Sequence, residues 1–125
     1  MIQPQKLRIG NYVEYNGEII KLDGSLLCCY IQNELEFPLN PIPLTEEILL
    51  KFGFKEVEGE RWCDMHEEFE ECNYYYLGAF KIYYNPETDR FEDDSLYHFN
   101  VNLKYVHQLQ NIYFALTGEE LTFKN

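Results

Sequence analysis

The sequence is short of positive charge. Ten lysine and arginine residues stand against twenty-two aspartates and glutamates, which gives a formal net charge of −12. Because nucleic-acid phosphates and anionic membranes attract basic surfaces, and no basic patch is visible, we expect no direct binding to either. The segment from Glu56 to Asp94 holds thirteen acidic residues against Arg61, Lys81 and Arg90. One part of the fold should therefore be strongly negative.

Long apolar runs and a cysteine framework are also missing. No stretch approaches the roughly 20 apolar residues of a membrane span, and the opening residues lack the charged and apolar regions of a signal peptide. Of the four cysteines, Cys28 and Cys29 are adjacent and the other two are unevenly placed, unlike a disulfide framework. We expect a soluble, cytoplasmic protein with reduced thiols, folded as a single domain over residues 1–125.

The sequence has no catalytic or phosphate-binding signature. No glycine-rich loop follows a strand-like run, and the acidic residues are too abundant to single out a catalytic pair. Cys63, His66 and Cys72 are metal-type ligands, with His98 as a candidate fourth, but the second short pair typical of a zinc site is missing. Whether they bind metal stays open. We predict no cofactor and no enzymatic activity.

Helical periodicity is strongest from Leu103 to Leu121. Apolar residues recur there at three- and four-residue steps, and Gly118 follows as a C-terminal cap. The stripe consists of Tyr105, Val106, Leu109, Ile112, Tyr113 and Leu116. His107, beside this stripe, is expected to be a partly buried structural residue. A second, short helix is predicted at Glu46–Phe52, capped by Thr45 and ended by Gly53.

Strand-like runs separated by turn signals fill the rest of the first half. Asn16-Gly17 predicts a hairpin between Tyr12 to Tyr15 and Glu18 to Leu22. Leu26 to Gln32 and then Leu35 to Phe37 are predicted to extend it into an antiparallel meander. The proline-rich segment from Pro38 to Pro43 should be a rigid connection.

The middle of the chain is acidic and rich in tyrosine. Strands are predicted at Tyr74 to Leu77 and Phe80 to Tyr84, followed by a turn near Pro86. Phe91 and Leu96 to Val101 should supply further strands. Glu58-Gly59 is predicted to be a turn, and Asp64 to Glu71 an exposed loop or hairpin tip.

These elements together predict an α+β fold. We expect an antiparallel, twisted sheet or partial barrel packed on a long C-terminal helix, with the short helix beside it. Leu121 and Phe123 should return the tail to the core.

The acidic middle is the candidate functional surface. It is either a solvated, solubilising surface or a negative face that steers toward and caps a basic groove, with aromatic anchors. A platform of tyrosines for base stacking is less favoured, because basic residues to hold a nucleic-acid backbone are missing. The candidate partner-binding residues are Glu67, Glu68, Glu70, Glu71, Trp62, Tyr74, Tyr75, Asp93 and Asp94.

Three segments resemble a group of small, uncharacterised proteins from phages and prophages of Bacteroidota. They are LRIGNYV (Leu7 to Val13), PIPLTEEILLKFGF (Pro41 to Phe54) and YVHQLQNIYFALTGEEL (Tyr105 to Leu121). The resemblance implies no activity and no site residue. It implies a context in which short acidic proteins are often interaction proteins, and by analogy it favours an anti-CRISPR type of inhibitor that binds an RNA-guided nuclease.

The leading hypothesis is therefore a non-catalytic module that binds a protein, such as a nucleic-acid-handling protein of the host cell. Two alternatives stay open. One is a small enzyme or small-molecule binder with a pocket between helix and sheet, and the other is an oligomeric structural or assembly protein of a phage.

Overall fold

The fold is α+β, as the sequence predicts. A computed structural model describes residues 2–63, 67–78, 80–86, 89–93 and 102–124. The described residues form two antiparallel sheets and three helices. In chain order the elements are β1 (Tyr12–Tyr15), β2 (Glu18–Lys21), α1 (Gly24–Ile31), β3 (Leu39–Asn40), α2 (Glu46–Lys51), β4 (Lys55–Cys63), β5 (Glu68–Leu77), β6 (Phe80–Asn85), β7 (Arg90–Asp93), β8 (Asn102–Leu103) and α3 (Val106–Thr117). None of the helices in these ranges is long and apolar enough to cross a membrane.

The chain divides into two compact units. The first unit comprises Met1–Pro43 and Tyr105–Leu121, and the second unit comprises Leu44–Lys104 and Thr122–Asn125. Each unit contains one sheet, with strand order β2-β1-β3 in the first and β4-β5-β6-β7-β8 in the second. The expectation of a single domain stays a prediction.

The hairpin at the start of the first unit is confirmed. Tyr15 pairs with Glu18, and the two residues between them have positive φ, 51° for Asn16 and 82° for Gly17. Asparagine and glycine tolerate this backbone region, which a two-residue turn of this type requires at both positions. The turn therefore fixes the register of β1 and β2.

The prediction of a third strand from Leu26 to Gln32 is wrong, because this segment lies mainly in helix α1. The Asp23 carboxylate caps the helix by accepting a hydrogen bond from the Leu26 N–H at 2.7 Å. Leu26, Leu27 and Tyr30 then place one face of the helix on the apolar cluster of the first unit. No strand forms from Leu35 to Phe37 either; Leu39 instead pairs with Tyr15.

Helix α2 in the second unit is confirmed, together with its signals. The Thr45 hydroxyl accepts a hydrogen bond from the Ile48 N–H at 3.3 Å, and Gly53 after the helix has φ of 97°. Leu49 and Phe52 are fully buried, and Phe123 of the tail stacks on Phe52 with ring centroids 4.7 Å apart. Phe123 therefore packs on this unit's core, as expected for the tail.

The aromatic strands β5 and β6 are confirmed, but the predicted turn at Glu58-Gly59 is wrong. Strand β4 runs through both residues without a break. A Cβ at Gly59 would lie 2.8 Å from Cε2 of Tyr74, so the glycine leaves room for that ring against the strand. Glu68 to Glu71, expected in a loop or hairpin tip, belong to strand β5. The prediction for Leu96 to Val101 lies outside the described residues.

Helix α3 ends as predicted, at Gly118 with φ of 74°, and is shorter than the periodic segment. It carries a buried glutamine. The Gln110 side-chain amide donates to the carbonyl oxygens of Gly10 and Leu121, both at 3.0 Å, and its oxygen accepts from the Tyr12 N–H at 2.8 Å. Gln110 is fully buried, and every one of these partners lies in the first unit. One side chain therefore joins the helix to strand β1 and to the tail.

Candidate protein-binding surface

The acidic middle forms a ribbon of two strands. Strands β4 and β5 pair from Lys55 opposite Tyr76 to Cys63 opposite Glu68, whereas β6 pairs with β5 only between Tyr74 and Leu77. Residues 58–63 and 67–73 therefore extend beyond the third strand, and we call them the acidic ribbon. By sequence, residues 58–73 contain seven acidic residues and a single basic one, Arg61.

The register distributes the candidate residues over both faces of the sheet. Side chains alternate between the two faces along a strand, so Glu68 and Glu70 lie on the face of Tyr74, while Glu71 lies on the face of Tyr75. Glu67 precedes β5 in a positive-φ conformation. In register, Trp62 is opposite Phe69 and Asp93 is opposite Ile82, and Asp94 lies outside the described residues.

Most of the ribbon side chains whose exposure the structure describes are open to solvent. Glu67, Glu68 and Glu71 are exposed and Glu70 is half-buried. Phe69, which sequence reasoning missed, is 64% exposed, the largest fraction among the exposed apolar side chains described. Single exposed apolar side chains are common on protein surfaces, and Phe69 is distinguished by its place in an acidic run, on the same face of β5 as Glu71. Its signal in the sequence was the isolated phenylalanine within the run EEFEE.

Tyr74 makes contacts typical of a core residue. Its side chain is 8% exposed, and its hydroxyl donates to the Glu60 carbonyl oxygen at 3.0 Å. The Lys81 ammonium lies 4.2 Å from the ring centroid, and the Tyr83 ring packs edge-on against it. We infer that Tyr74 stabilises the base of the acidic ribbon by covering Gly59.

Tyr75, on the opposite face, belongs to a carboxyl cluster. The side chain is 3% exposed, and its hydroxyl hydrogen-bonds with the carboxyl groups of Glu46 and Glu56. Burial first, and then the two neighbouring carboxylates, raise the pKa of Tyr75 well above its usual range. The tyrosine therefore stays protonated and donates to this cluster.

The two carboxyl groups also interact with each other. The hydrogen bond with Glu46 is the main reason why the pKa of Glu56 is raised, followed by desolvation and by repulsion from Glu46, while the hydrogen bond from Tyr75 opposes the shift. Glu46 follows the helix cap and Glu56 lies in β4, and no pattern in the sequence indicates that these two residues meet.

The candidate zinc ligands are poorly placed along the ribbon. Cys63 is opposite Glu68, four residues from Cys72, which corresponds to about 13 Å along a strand. Two thiolates of one zinc site must each approach the metal to about 2.3 Å. The described residues contain no group of three metal-type side chains, and Cys28 and Cys29 are free thiols. His66 and His98 lie outside the described residues.

His107 in the first unit is buried, at 6% exposure, as its position beside the helical stripe indicated. Its ring stacks on Tyr105 with centroids 6.0 Å apart, and Nδ1 has no hydrogen-bond partner among the described residues. Burial lowers the pKa of His107. The neutral imidazole is therefore the form that packs in this unit.

Compared with known proteins, the chain matches no family model, no curated protein and no solved structure. The resemblance to phage proteins thus stays a prediction, and functional inference depends on the geometry of the chain itself.

Proposed function

We propose that this protein is a non-catalytic binding module whose acidic ribbon docks on a basic surface of a partner protein. The observation that carries the proposal is the extension of the carboxylates beyond the third strand of the sheet, on two strands with solvent-exposed side chains. Concentrated negative charge raises the rate of encounter with a basic groove and favours it over neutral surfaces.

The shape of the ribbon favours a groove. Two paired strands lie only about 4.8 Å apart, so the ribbon is narrow enough to enter a groove in which a protein holds a nucleic-acid strand. Lysine and arginine side chains that hold phosphates also form strong, charge-assisted hydrogen bonds with carboxylates. The partner class that fits is a nucleic-acid-handling protein, and an RNA-guided nuclease inhibited in the anti-CRISPR manner is its most specific form.

Phe69 supplies an apolar contact within the charged surface. Aromatic side chains at the centre of an interface contribute much of the binding energy when they become desolvated, and surrounding polar residues exclude water from them. The exposed ring of Phe69 lies between Glu68 and Glu70 in sequence and opposite Trp62 in register. We assign it the role of anchor.

The proposal is tested by binding to a purified RNA-guided nuclease without its guide. We expect the wild-type protein to bind with an affinity that falls steeply as salt rises, and to compete with nucleic acid. A variant with Glu67, Glu68, Glu70 and Glu71 replaced by glutamine should lose at least tenfold in affinity and most of its salt dependence.

The matched control changes the same number of charges in the first unit. Glu18, Glu34, Glu36 and Glu119 are exposed, and replacing them by glutamine should leave binding within about twofold. Equal losses in the two variants would show that net charge alone drives binding and would contradict a role for the ribbon.

A further inference from the structure

The outer edge of strand β4 has no partner strand among the described residues. Strand β4 is the first strand of the five-stranded sheet and pairs only with β5. It is nine residues long, and Lys55, Glu56, Val57, Glu58 and Glu60 are all exposed. A long, exposed edge presents a row of backbone N–H and C=O groups that can pair with another chain.

The charges on β4 determine which strand can pair there. Glu56, Glu58 and Glu60 occupy alternate positions and therefore share one face of the sheet. In a pair of antiparallel β4 strands from two copies, the three glutamates would face one another, which is destabilising. A strand with lysine or arginine at every second position would instead place opposite charges in register.

We propose that the outer edge of β4 binds an extended basic segment of a protein partner as a sixth strand of the sheet. Backbone hydrogen bonds would provide affinity, and the alternate glutamates would select lysine or arginine at positions i, i+2 and i+4 of the segment. The inference rests on the proposed function and specifies which part of the partner protein β4 binds.

The other face of β4 sets a second requirement. Val57 is 43% exposed, and the Tyr74 ring lies over Gly59. Residues of the bound segment on this face would therefore meet an apolar side chain and a flat ring, which suits threonine or valine. Alternation of basic and β-branched residues is the sequence pattern that fits this edge.

The carboxyl cluster of Glu46 and Glu56 should strengthen the preference of the β4 edge for basic segments. Glu56 shares its surroundings with Glu46, and their mutual repulsion persists while both are ionised. A lysine ammonium opposite Glu56 would offset this repulsion. The basic residue of the segment that pairs with Glu56 should therefore contribute most to binding.

The test uses the full chain and two synthetic peptides of identical composition. One peptide alternates five lysines with four threonines, and the other carries the five lysines in a block. We expect the alternating peptide to bind at least tenfold more tightly at low salt. N-methylation of the alternate amides that face β4 should weaken binding, and N-methylation of the other alternate set should weaken it much less. Hydrogen exchange should then slow at every second amide of residues 55–60.

Variants separate the glutamates of the β4 edge from those at and just before the start of β5. Replacing Glu56, Glu58 and Glu60 by glutamine should abolish the preference for the alternating peptide, whereas glutamines at Glu67, Glu68, Glu70 and Glu71 should preserve that preference. Exchange slowed at alternate amides without peptide, together with self-association in sedimentation, would assign the edge to a second copy and overturn the inference.

The remaining outcomes distinguish the two proposals. Equal binding of both peptides, without amide protection, would overturn the sixth strand and leave electrostatic docking of the ribbon in place. If neither peptide bound at low salt, the sixth strand would be overturned, and binding of the RNA-guided nuclease by the wild-type protein would still decide the proposed function.

Discussion

The most closely packed polar side chains differ in kind between the two units of this protein. In the first unit, neutral amides are buried and paired, as Gln110 and Asn11 are, both fully buried. In the second, carboxyl groups remain near the surface and are forced together, as Glu46 and Glu56 are. The first arrangement favours one packing, because the Gln110 and Asn11 amides each have fixed hydrogen-bond partners. The second leaves unbalanced negative charge near the surface of the unit.

The largest expected loss of stability follows from removing the buried amide of Gln110 in the first unit. Replacing Gln110 by leucine removes the partners of the Gly10 and Leu121 carbonyl oxygens and of the Tyr12 N–H. Each buried group left unpaired costs about 1 to 3 kcal/mol, so we expect a loss of roughly 3 kcal/mol or more in the free energy of unfolding. Urea unfolding followed by circular dichroism measures it. The same change at exposed Gln5 should cost little, and comparable losses would contradict the role of burial.

A smaller effect is expected at the base of the ribbon in the second unit. Gly59→Ala introduces a Cβ 2.8 Å from the Tyr74 ring, so the ring or the strand must move. Overpacking of this kind costs about 1 to 3 kcal/mol. Trp62 is the only tryptophan, so its fluorescence reports unfolding of this unit. In a Tyr74→Val background the same substitution should cost much less, and an unchanged cost would disprove the ring contact.

The stability of the first unit should depend on pH through His107. Since burial lowers the pKa of His107, the unfolded chain takes up a proton at higher pH than the folded chain. Stability should therefore decrease as pH falls below about 6.5, the ordinary histidine value. His107→Gln should flatten this part of the stability profile, measured by thermal unfolding between pH 5 and 7.5. A profile equally steep in the variant would assign the pH dependence to other groups.

The smallest effect has the opposite sign and belongs to the second unit. The pKa of Glu56 is raised, so the folded chain holds a proton that the unfolded chain releases at lower pH. This contribution is present at acidic pH and is lost as pH rises through the raised pKa. Glu56→Gln should therefore increase stability slightly at pH 7, and the gain should vanish toward pH 4. A gain of the same size at pH 4 and at pH 7 would contradict this explanation.

Local chemistry was readable from the sequence, and contacts between distant residues were not. Asn16-Gly17 and the Thr45 cap predict their elements because each needs only its neighbours. The helix after Asp23 was mistaken for a strand because an unbroken apolar run fits both, and Asp-Gly suggests a turn as readily as a cap. Gly59 was mistaken for a turn because the Tyr74 ring that requires it is distant in sequence.

The exposure of the acidic segment was predictable from the sequence, and the arrangement of its side chains was not. Negative charge follows from counting residues, and the acidic ribbon indeed has exposed carboxylates. Which face each residue occupies depends on the register of β4 with β5, which composition does not reveal. For the same reason the burial of Tyr74 and Tyr75, and the meeting of Glu46 with Glu56, required the structure.

The bonds of Gln110 also bear on the order of folding. They join residues about a hundred positions apart, so the first unit cannot close until the last helix has left the ribosome. The sheet of the second unit is contiguous and has short loops between most of its strands, so its entropic cost of closure is lower. During synthesis the five-stranded sheet of the second unit should therefore form before residues 1–43 can pack against helix α3.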